Sequence, residues 1–230
     1  MNRPYVICHM TVSIDGKVTG DFLAAPECEK AIAAYYEINR NYKADAYACG
    51  RITMEGCFSG GWYTDLSEYA PVNAKDDLIP DTLTGFYAVA FDPKGRLGWK
   101  SDRIIDPDSD PGYDKAQIIE LLTAQADPKY LGYLKETGIP YIFAGENEID
   151  VELALEKLKK HFGIGTLLLE GGSVINGYFE RAGVIDEMSL VTAPVAAGDG
   201  LPLFGNGSFA AFTLAEVKNL DGAVWTRYVK

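Results

Sequence analysis

The stretch LLLEGGSVINGYFERAGVIDEMSLVTAPVAAGDGLPLF, residues 167–204, decides the fold. The apolar run that ends at this point, 166–170, predicts a buried strand. Two glycines and a serine at 171–173 follow directly and predict the start of a helix, which ends at 182–183. A second apolar run, 187–195, predicts another strand. Strand, helix and strand in this order are typical of a parallel sheet whose strands are joined by a helix.

The same alternation extends outward from this stretch in both directions. Further strands are predicted at 4–12, 46–49, 86–92 and 139–145, and helices at 26–43, 115–125, 130–138 and 151–162. In the tail, Asp221 and Gly222 separate two strand-like segments, which is typical of a hairpin. The pattern predicts a single α/β domain over residues 1–230, with a mostly parallel central sheet, helices on both faces and an antiparallel C-terminal hairpin. Residues 59–84 are predicted as loop that contains at most one short helix, and 98–138 as an insert and candidate lid.

Composition excludes several classes of function. The chain has 230 residues and a formal net charge of −12, so its surface repels nucleic acids and anionic membranes. Local backbone N–H groups can still bind an anionic cofactor. Four cysteines without a CxxC pair indicate reduced thiols, and two distant histidines argue against a metal site. The N-terminus lacks a signal-peptide pattern, and no apolar run reaches about 18 residues, so we expect a cytoplasmic protein.

Two junctions carry the chemistry that the residues themselves suggest. Glu170 is followed by a glycine pair directly before a helix, where free N–H groups and the helix dipole favour a pyrophosphate; the alternative is a tight structural turn. Gly50, Arg51 and Thr53 follow another predicted strand. There Arg51 suits a 2′-phosphate and Thr53 suits a phosphate or a helix cap, the alternative being ordinary capping with a surface arginine. Together the junctions suit a dinucleotide, although the chain has no complete G-x-G-x-x-G motif.

Two other positions have both a structural and a functional interpretation. The segment Ser13-Ile14-Asp15-Gly16-Lys17 is either a polar turn after a strand or a place where Asp15 and Lys17 meet a substrate. His9 lies inside a predicted strand and is interpreted as a core or cleft residue with a possible ligand contact.

Four segments carry a resemblance to a known family: MTVSIDGKVTG (10–20), CGRITME (49–55), FDPKGRLGW (91–99) and the stretch quoted first. With them the chain resembles the C-terminal reductase domain of the bifunctional riboflavin-biosynthesis deaminase-reductases (RibD), within the dihydrofolate-reductase-like superfamily. The resemblance implies a dihydrofolate-reductase-like three-layer sandwich, NADPH as cofactor and, as in many family members, a homodimer.

The resemblance also implies roles for individual residues. Ser13 and Lys17 would bind substrate, and the proton relay would be Asp15 or Glu170. His9 is a substrate-binding candidate only from its own position in the first strand. The implied cofactor-binding residues are Gly50, Arg51, Thr53, Ala144, Gly145, Gly171, Gly172, Ser173 and Val174. The implied chemistry is direct hydride transfer from C4 of NADPH to a C=O or C=N carbon. A carboxyl group in a dry cleft has a raised pKa, which suits a proton relay.

The chain departs from the riboflavin enzymes in its charge. Those enzymes must hold a ribose phosphate, yet between Ile52 and Pro93 the only basic residue is Lys75, against seven acids: Glu55, Asp65, Glu68, Asp76, Asp77, Asp81 and Asp92. We therefore expect a flat, less charged ring, of the pterin or pyrimidine type, as substrate. Six aromatic residues either stack on that ring or pack the insert: Trp62, Tyr63, Trp99, Tyr113, Tyr130 and Tyr133. The alternatives are the riboflavin-pathway reductase itself and a non-catalytic NADPH-binding protein.

Overall fold

The computed structural model describes residues 2–105 and 110–230. Its strands are β1 (Tyr5–Val12), β2 (Ala46–Gly50), β3 (Tyr87–Phe91), β4 (Gln117–Leu122), β5 (Tyr141–Phe143), β6 (Thr166–Leu169), β7 (Glu187–Thr192), β8 (Thr213–Asn219) and β9 (Val224–Val229). Its α-helices are α1 (Glu29–Tyr42), α2 (Arg51–Met54), α3 (Pro128–Thr137), α4 (Val151–Phe162) and α5 (Ser173–Arg181). Short 3₁₀ turns lie at Asp21–Ala24, Pro26–Cys28 and Leu66–Glu68, and a π turn at Glu55–Ser59. No helix in the described ranges has the length and apolarity to cross a membrane.

These elements form two compact units. Unit 1 consists of the residues up to Pro4 together with Asp45–Gly165, and unit 2 consists of Tyr5–Ala44 and Thr166–Lys230. The assignment of residues 1–230 to one domain stays a prediction.

Unit 1 contains four parallel strands in the order β5-β4-β3-β2. All residues of β3 and β4 are buried, which explains why these strands are nearly continuous apolar runs in the sequence. Asp150 caps the start of α4 as expected from the sequence, whereas α3 begins at Pro128, two residues earlier than predicted, with Asp127 accepting the Lys129 N–H. Both helices end at a glycine in the left-handed region, Gly138 and Gly163.

One predicted element of unit 1 has the wrong type. The segment KAQIIELLTAQ, residues 115–125, was expected to be a helix, but it contains β4. A short apolar run does not distinguish a buried strand from a buried helix, and its single acid, Glu120, imitates the polar side of a helix although it is fully buried. The β-branched pair Ile118-Ile119 is the local feature that favours a strand.

The segment 98–138, the candidate insert and lid, is part of the packed structure of unit 1. It contributes β4 and α3 to unit 1, and the α3 side chains of Tyr130, Leu131 and Leu134 are buried. A role of this segment as a lid stays a prediction. Residues 106–109 of the segment lie outside the described residues.

Unit 2 contains five strands in the order β6-β1-β7-β9-β8. The first three are parallel, with Ile7 opposite both Leu168 and Glu187, whereas β9 runs antiparallel to β7 and β8. Asp221 and Gly222 form the β8–β9 turn with φ of 53° and 112°, as the hairpin prediction requires. The prediction of mostly parallel strands with an antiparallel C-terminal hairpin is confirmed.

Candidate cofactor and substrate site

The junction between β6 and α5 in unit 2 has the geometry of an anion-binding turn. Gly171 has φ of +90°, and a Cβ atom there would lie 3.1 Å from the Met10 methyl group. The peptide between Gly171 and Gly172 is cis. Gly172 is the extended N-cap of α5, so no side chain caps this helix. Backbone N–H groups at such a helix start suit a pyrophosphate, and the residues present therefore fit the phosphate part of a dinucleotide.

Of the two residues after this glycine pair, Ser173 is buried and Val174 is exposed. The Ser173 hydroxyl donates to the carbonyl oxygen of Pro202, so it serves the fold of unit 2. Val174 is exposed on the first turn of α5. Any contribution of these residues to pyrophosphate binding would therefore come from their backbone N–H groups.

The junction between β2 and α2 in unit 1 contains a charged pair. Gly50 is the extended N-cap of α2, and Thr53, the third residue of this helix, does not cap it. The Arg51 guanidinium donates to the Glu55 carboxylate, one helical turn further on. The Tyr63 hydroxyl donates to the other oxygen of the same carboxylate. The cation that was expected to meet a 2′-phosphate is thus paired within unit 1.

The end of β5 is a tight loop that requires glycine. Ala144 is buried, and its N–H donates to the carbonyl oxygen of Leu122 over 2.8 Å. Gly145 has φ of +121°, and a Cβ atom there would lie 2.0 Å from the carbonyl oxygen of Glu148. These contacts explain the glycine structurally, and contact of the two residues with a cofactor stays a prediction.

The segment 13–17 in unit 2 is a turn that is tied to a neighbouring loop. The Ser13 hydroxyl donates to Asp15 over 2.6 Å, and the same carboxylate accepts 2.9 Å hydrogen bonds from the N–H groups of Ala197 and Gly198. These donors, Ser13 first, lower the pKa of Asp15 to about 2. The expected raised pKa is therefore wrong for Asp15, which is exposed and anchors a loop instead of carrying a proton. The Lys17 side chain makes no hydrogen bond or ion pair within residues 2–105 and 110–230.

Glu170 is the better-placed of the two candidate acids. Its carboxylate is buried in unit 2 and accepts a 2.7 Å hydrogen bond from the side-chain amide of Asn39 on α1. Burial and the nearby charge of Glu170 raise the pKa of the Cys8 thiol, which excludes Cys8 as a nucleophile at neutral pH. Asn39 was missed from the sequence, since an asparagine within a predicted helix gives no sign of a partner 131 residues away.

His9 is a core residue, so the expected substrate contact is not supported. The ring is fully buried and stacks on Tyr35 with 4.3 Å between ring centroids. Nδ1 lies 2.9 Å from the Ser189 hydroxyl and Nε2 lies 3.0 Å from the carbonyl oxygen of Tyr35, so both nitrogens have protein partners. Burial lowers the pKa of His9 to about 4, and the imidazole is neutral at physiological pH.

Most of the aromatic residues proposed for ring stacking pack unit 1. Trp99, Tyr113, Tyr130 and Tyr133 are buried, and both tyrosines of α3 donate hydrogen bonds to backbone carbonyl oxygens, those of Leu97 and Trp99. Tyr63 differs because it is 61% exposed and contacts Glu55. The four buried aromatic residues therefore pack the core of unit 1.

Four of the seven acids between Ile52 and Pro93 have structural partners. Glu55 pairs with Arg51, Asp65 caps the turn Leu66–Glu68, Asp77 pairs with Lys157 over 2.9 Å, and buried Asp92 accepts the Leu97 N–H over 2.7 Å. An acid that is paired or accepts N–H bonds repels a phosphate less than a bare charge does. The count of acids in this segment is therefore weaker evidence against a phosphorylated substrate than the sequence suggested.

Comparison with known proteins gives the family. The model of the RibD C-terminal domain matches residues 4–225. A relative from Aquifex aeolicus, named 2,5-diamino-6-ribosylamino-4(3H)-pyrimidinone 5′-phosphate reductase, is 26% identical over 214 residues, which is 90% of this chain and 84% of the relative.

Solved structures show the same fold. A pyrimidine reductase-like protein from Corynebacterium diphtheriae superposes with a TM-score of 0.68 at 20% identity, covering 99% of this chain and 92% of that protein. RibD from Acinetobacter baumannii gives a TM-score of 0.65 at 19% identity over 100% of this chain, which spans only 58% of that longer protein. The strand pattern, the matching family model and these structural neighbours together show that the chain belongs to the RibD C-terminal domain family of oxidoreductases, with the dihydrofolate-reductase-like fold.

Proposed function

We propose that this chain is an NADPH-dependent reductase that reduces a C=O or C=N group of a small heterocycle of the pyrimidine or pterin type. The observation that carries the proposal is the β6–α5 junction, where a buried carboxylate, Glu170, directly precedes a glycine-led helix start that no side chain caps. An anion-binding turn beside a held acid is what a hydride-transfer site needs, because the cofactor must be bound and the product must gain a proton.

The cofactor-binding residues are proposed in two sets. In unit 2, the backbone of Gly171, Gly172, Ser173 and Val174 would hold the pyrophosphate. In unit 1, Gly50, Arg51 and Thr53 would contact the adenosine-phosphate half, and Ala144 and Gly145, at the end of β5, are separately proposed to contact the cofactor. Bound NADPH supplies the hydride, and the protein supplies orientation and a proton path.

Glu170 is the proposed proton relay, acting directly or through a water molecule. The Asn39 amide donates to one carboxylate oxygen over 2.7 Å and keeps the side chain in one orientation. Lys17, whose ammonium group is unpaired in the described part of the chain, is the proposed cation for an electronegative group of the substrate. Ser13 supports this position by accepting the Lys17 N–H over 2.9 Å.

A second candidate is the riboflavin-pathway reaction itself. The Aquifex relative carries the name of a ribosylamino-pyrimidinone phosphate reductase and matches along 90% of this chain. Glu55 is paired with Arg51, and Asp77 is paired with Lys157. The excess of acids in this segment is therefore a weaker argument against a phosphorylated substrate. The expected homodimer and cytoplasmic location stay predictions.

Turnover assays test the proposal. Purified protein is mixed with NADPH and, in turn, with the ribosylamino-pyrimidinone 5′-phosphate, its deaminated form, and oxidised pterins, and loss of NADPH absorbance is followed. We expect oxidation with one of these heterocycles, and a Glu170→Gln variant that binds NADPH like the wild type but turns over at least about a hundredfold more slowly. NADPH binding without oxidation by any compound would instead support a non-catalytic nucleotide-binding protein.

A further inference from the structure

The ion pair on α2 bears on which dinucleotide the protein prefers. Arg51 and Glu55 lie one helical turn apart, and their side chains are only 26% and 21% exposed. An ion pair that is mostly withdrawn from solvent is screened less by salt than a pair on the open surface. Any phosphate that approaches Arg51 must therefore compete with a carboxylate that is already bound to it.

Two further groups in unit 1 strengthen this competition. The Tyr63 hydroxyl donates to the Glu55 oxygen that Arg51 does not bind, so both carboxylate oxygens are occupied and the side chain is held beside the guanidinium. Arg51 also lies close enough to Asp92 to lower its pKa, against the larger effect of burial, which raises it. The arginine thus faces two acids of its own unit.

From this arrangement we infer that Glu55 is a specificity-determining residue, which holds the Arg51 guanidinium in the free protein and limits the preference for NADPH over NADH. The inference rests on the proposed function, because it takes Arg51 to be the residue that meets the 2′-phosphate. NADPH carries a dianionic 2′-phosphate that needs the arginine and is repelled by the carboxylate. NADH carries a 2′-hydroxyl at the same position, and a carboxylate accepts a hydrogen bond from that hydroxyl.

The two cofactors therefore respond in opposite ways to Glu55. The carboxylate weakens NADPH binding by occupying Arg51 and by its own charge, and it does not weaken NADH binding. The wild type is expected to prefer NADPH by less than about tenfold, which corresponds to about 1.4 kcal/mol. Glu55→Gln keeps the size of the side chain but removes its charge, so it frees the guanidinium for the phosphate.

Equilibrium binding tests the inference without relying on turnover. The dissociation constants of NADPH and NADH are measured by nucleotide fluorescence for the wild type, Glu55→Gln and Arg51→Ala. The matched control is Glu68→Gln, which removes one negative charge from an exposed residue of the same segment. We expect Glu55→Gln to bind NADPH about tenfold more tightly, with unchanged or weaker NADH binding, whereas the control changes either constant less than twofold.

The outcomes separate this inference from the proposed function. If the wild type binds neither nucleotide, the proposed function fails, and the inference fails with it. If both nucleotides bind but Glu55→Gln leaves the ratio of their dissociation constants unchanged, only the inference is overturned. A ratio that Arg51→Ala leaves unchanged would overturn it as well, because Arg51 would then not meet the 2′-phosphate.

Discussion

Replacing His9 by glutamine should remove a defined part of the acid sensitivity of the fold. The wild-type ring is buried, with Nε2 3.0 Å from the Tyr35 carbonyl oxygen and Nδ1 2.9 Å from the Ser189 hydroxyl. The Trp225 indole N–H donates to the same hydroxyl over 2.9 Å. In the consistent arrangement of protons, Nε2–H donates to Tyr35 and Nδ1 accepts from Ser189, so the folded state holds a neutral imidazole.

The magnitude follows from the pKa of His9. Burial lowers this pKa from 6.5 to about 4 in the folded protein, whereas the unfolded chain has the ordinary value. Between these two pH values the unfolded chain binds a proton that the folded protein does not bind, so the free energy of unfolding decreases as the pH falls. At about 1.4 kcal/mol per pH unit, His9 removes about 3 kcal/mol of stability over this window. Well above pH 6.5 both states are neutral and His9 contributes no pH dependence.

Chemical unfolding at a series of pH values measures this effect. Other groups also titrate in acid, so the relevant quantity is the difference between the wild type and His9→Gln. We expect the variant to be less stable at neutral pH, because the stacked ring is lost, and to lose about 3 kcal/mol less than the wild type on acidification. The matched control is His161→Gln, which removes a partly exposed histidine at the end of α4. Parallel profiles for His9→Gln and the wild type would refute the reasoning.

Three further predictions concern other described residues. Burial raises the pKa of Glu120, so the wild type loses stability as the pH rises above 4.5. Glu120→Gln should lack this loss, which unfolding curves at acid and neutral pH would measure. Asp15→Asn should speed hydrogen exchange at the Ala197 and Gly198 amides, because the amide is a weaker acceptor; unchanged exchange would contradict the anchoring role. Gly145→Ala should lower the melting temperature far more than Gly138→Ala, since only the former places a Cβ atom 2.0 Å from another backbone atom; equal shifts would contradict the close approach.

Much of the fold was predictable because its signals are local. A capping aspartate, a terminal glycine or an Asp-Gly turn acts within a few residues, and Asp150, Gly163 and Asp221 all behave as expected. The error at β4 has the opposite origin. Its six residues are buried by neighbouring strands from other parts of the chain, and a short buried segment has no periodicity that distinguishes a strand from a helix.

The chemical state of the candidate site was less predictable, because it depends on distant partners. Asp15 was expected to have a raised pKa, but hydrogen bonds from Ser13 and from the distant loop at 197–198 lower it. His9 was interpreted as a core or cleft residue, and only its partners from α1 and β7, which bond both ring nitrogens, place it in the core. The pairing of Arg51 with Glu55 is different, because their spacing of four residues, which is one helical turn, could have revealed it.

The most direct test of the account is a titration of the purified protein with NADPH, followed by nucleotide fluorescence, with NADH measured in parallel. The account predicts saturable binding of NADPH at the β6–α5 junction. Replacing Gly172, the N-cap of α5, by aspartate should therefore cause a large loss of NADPH affinity. The aspartate carboxylate would both cap the helix and repel the pyrophosphate. If neither nucleotide binds to the wild type, or if Gly172→Asp binds NADPH as tightly as the wild type does, the junction is a structural turn and the proposed cofactor site is wrong.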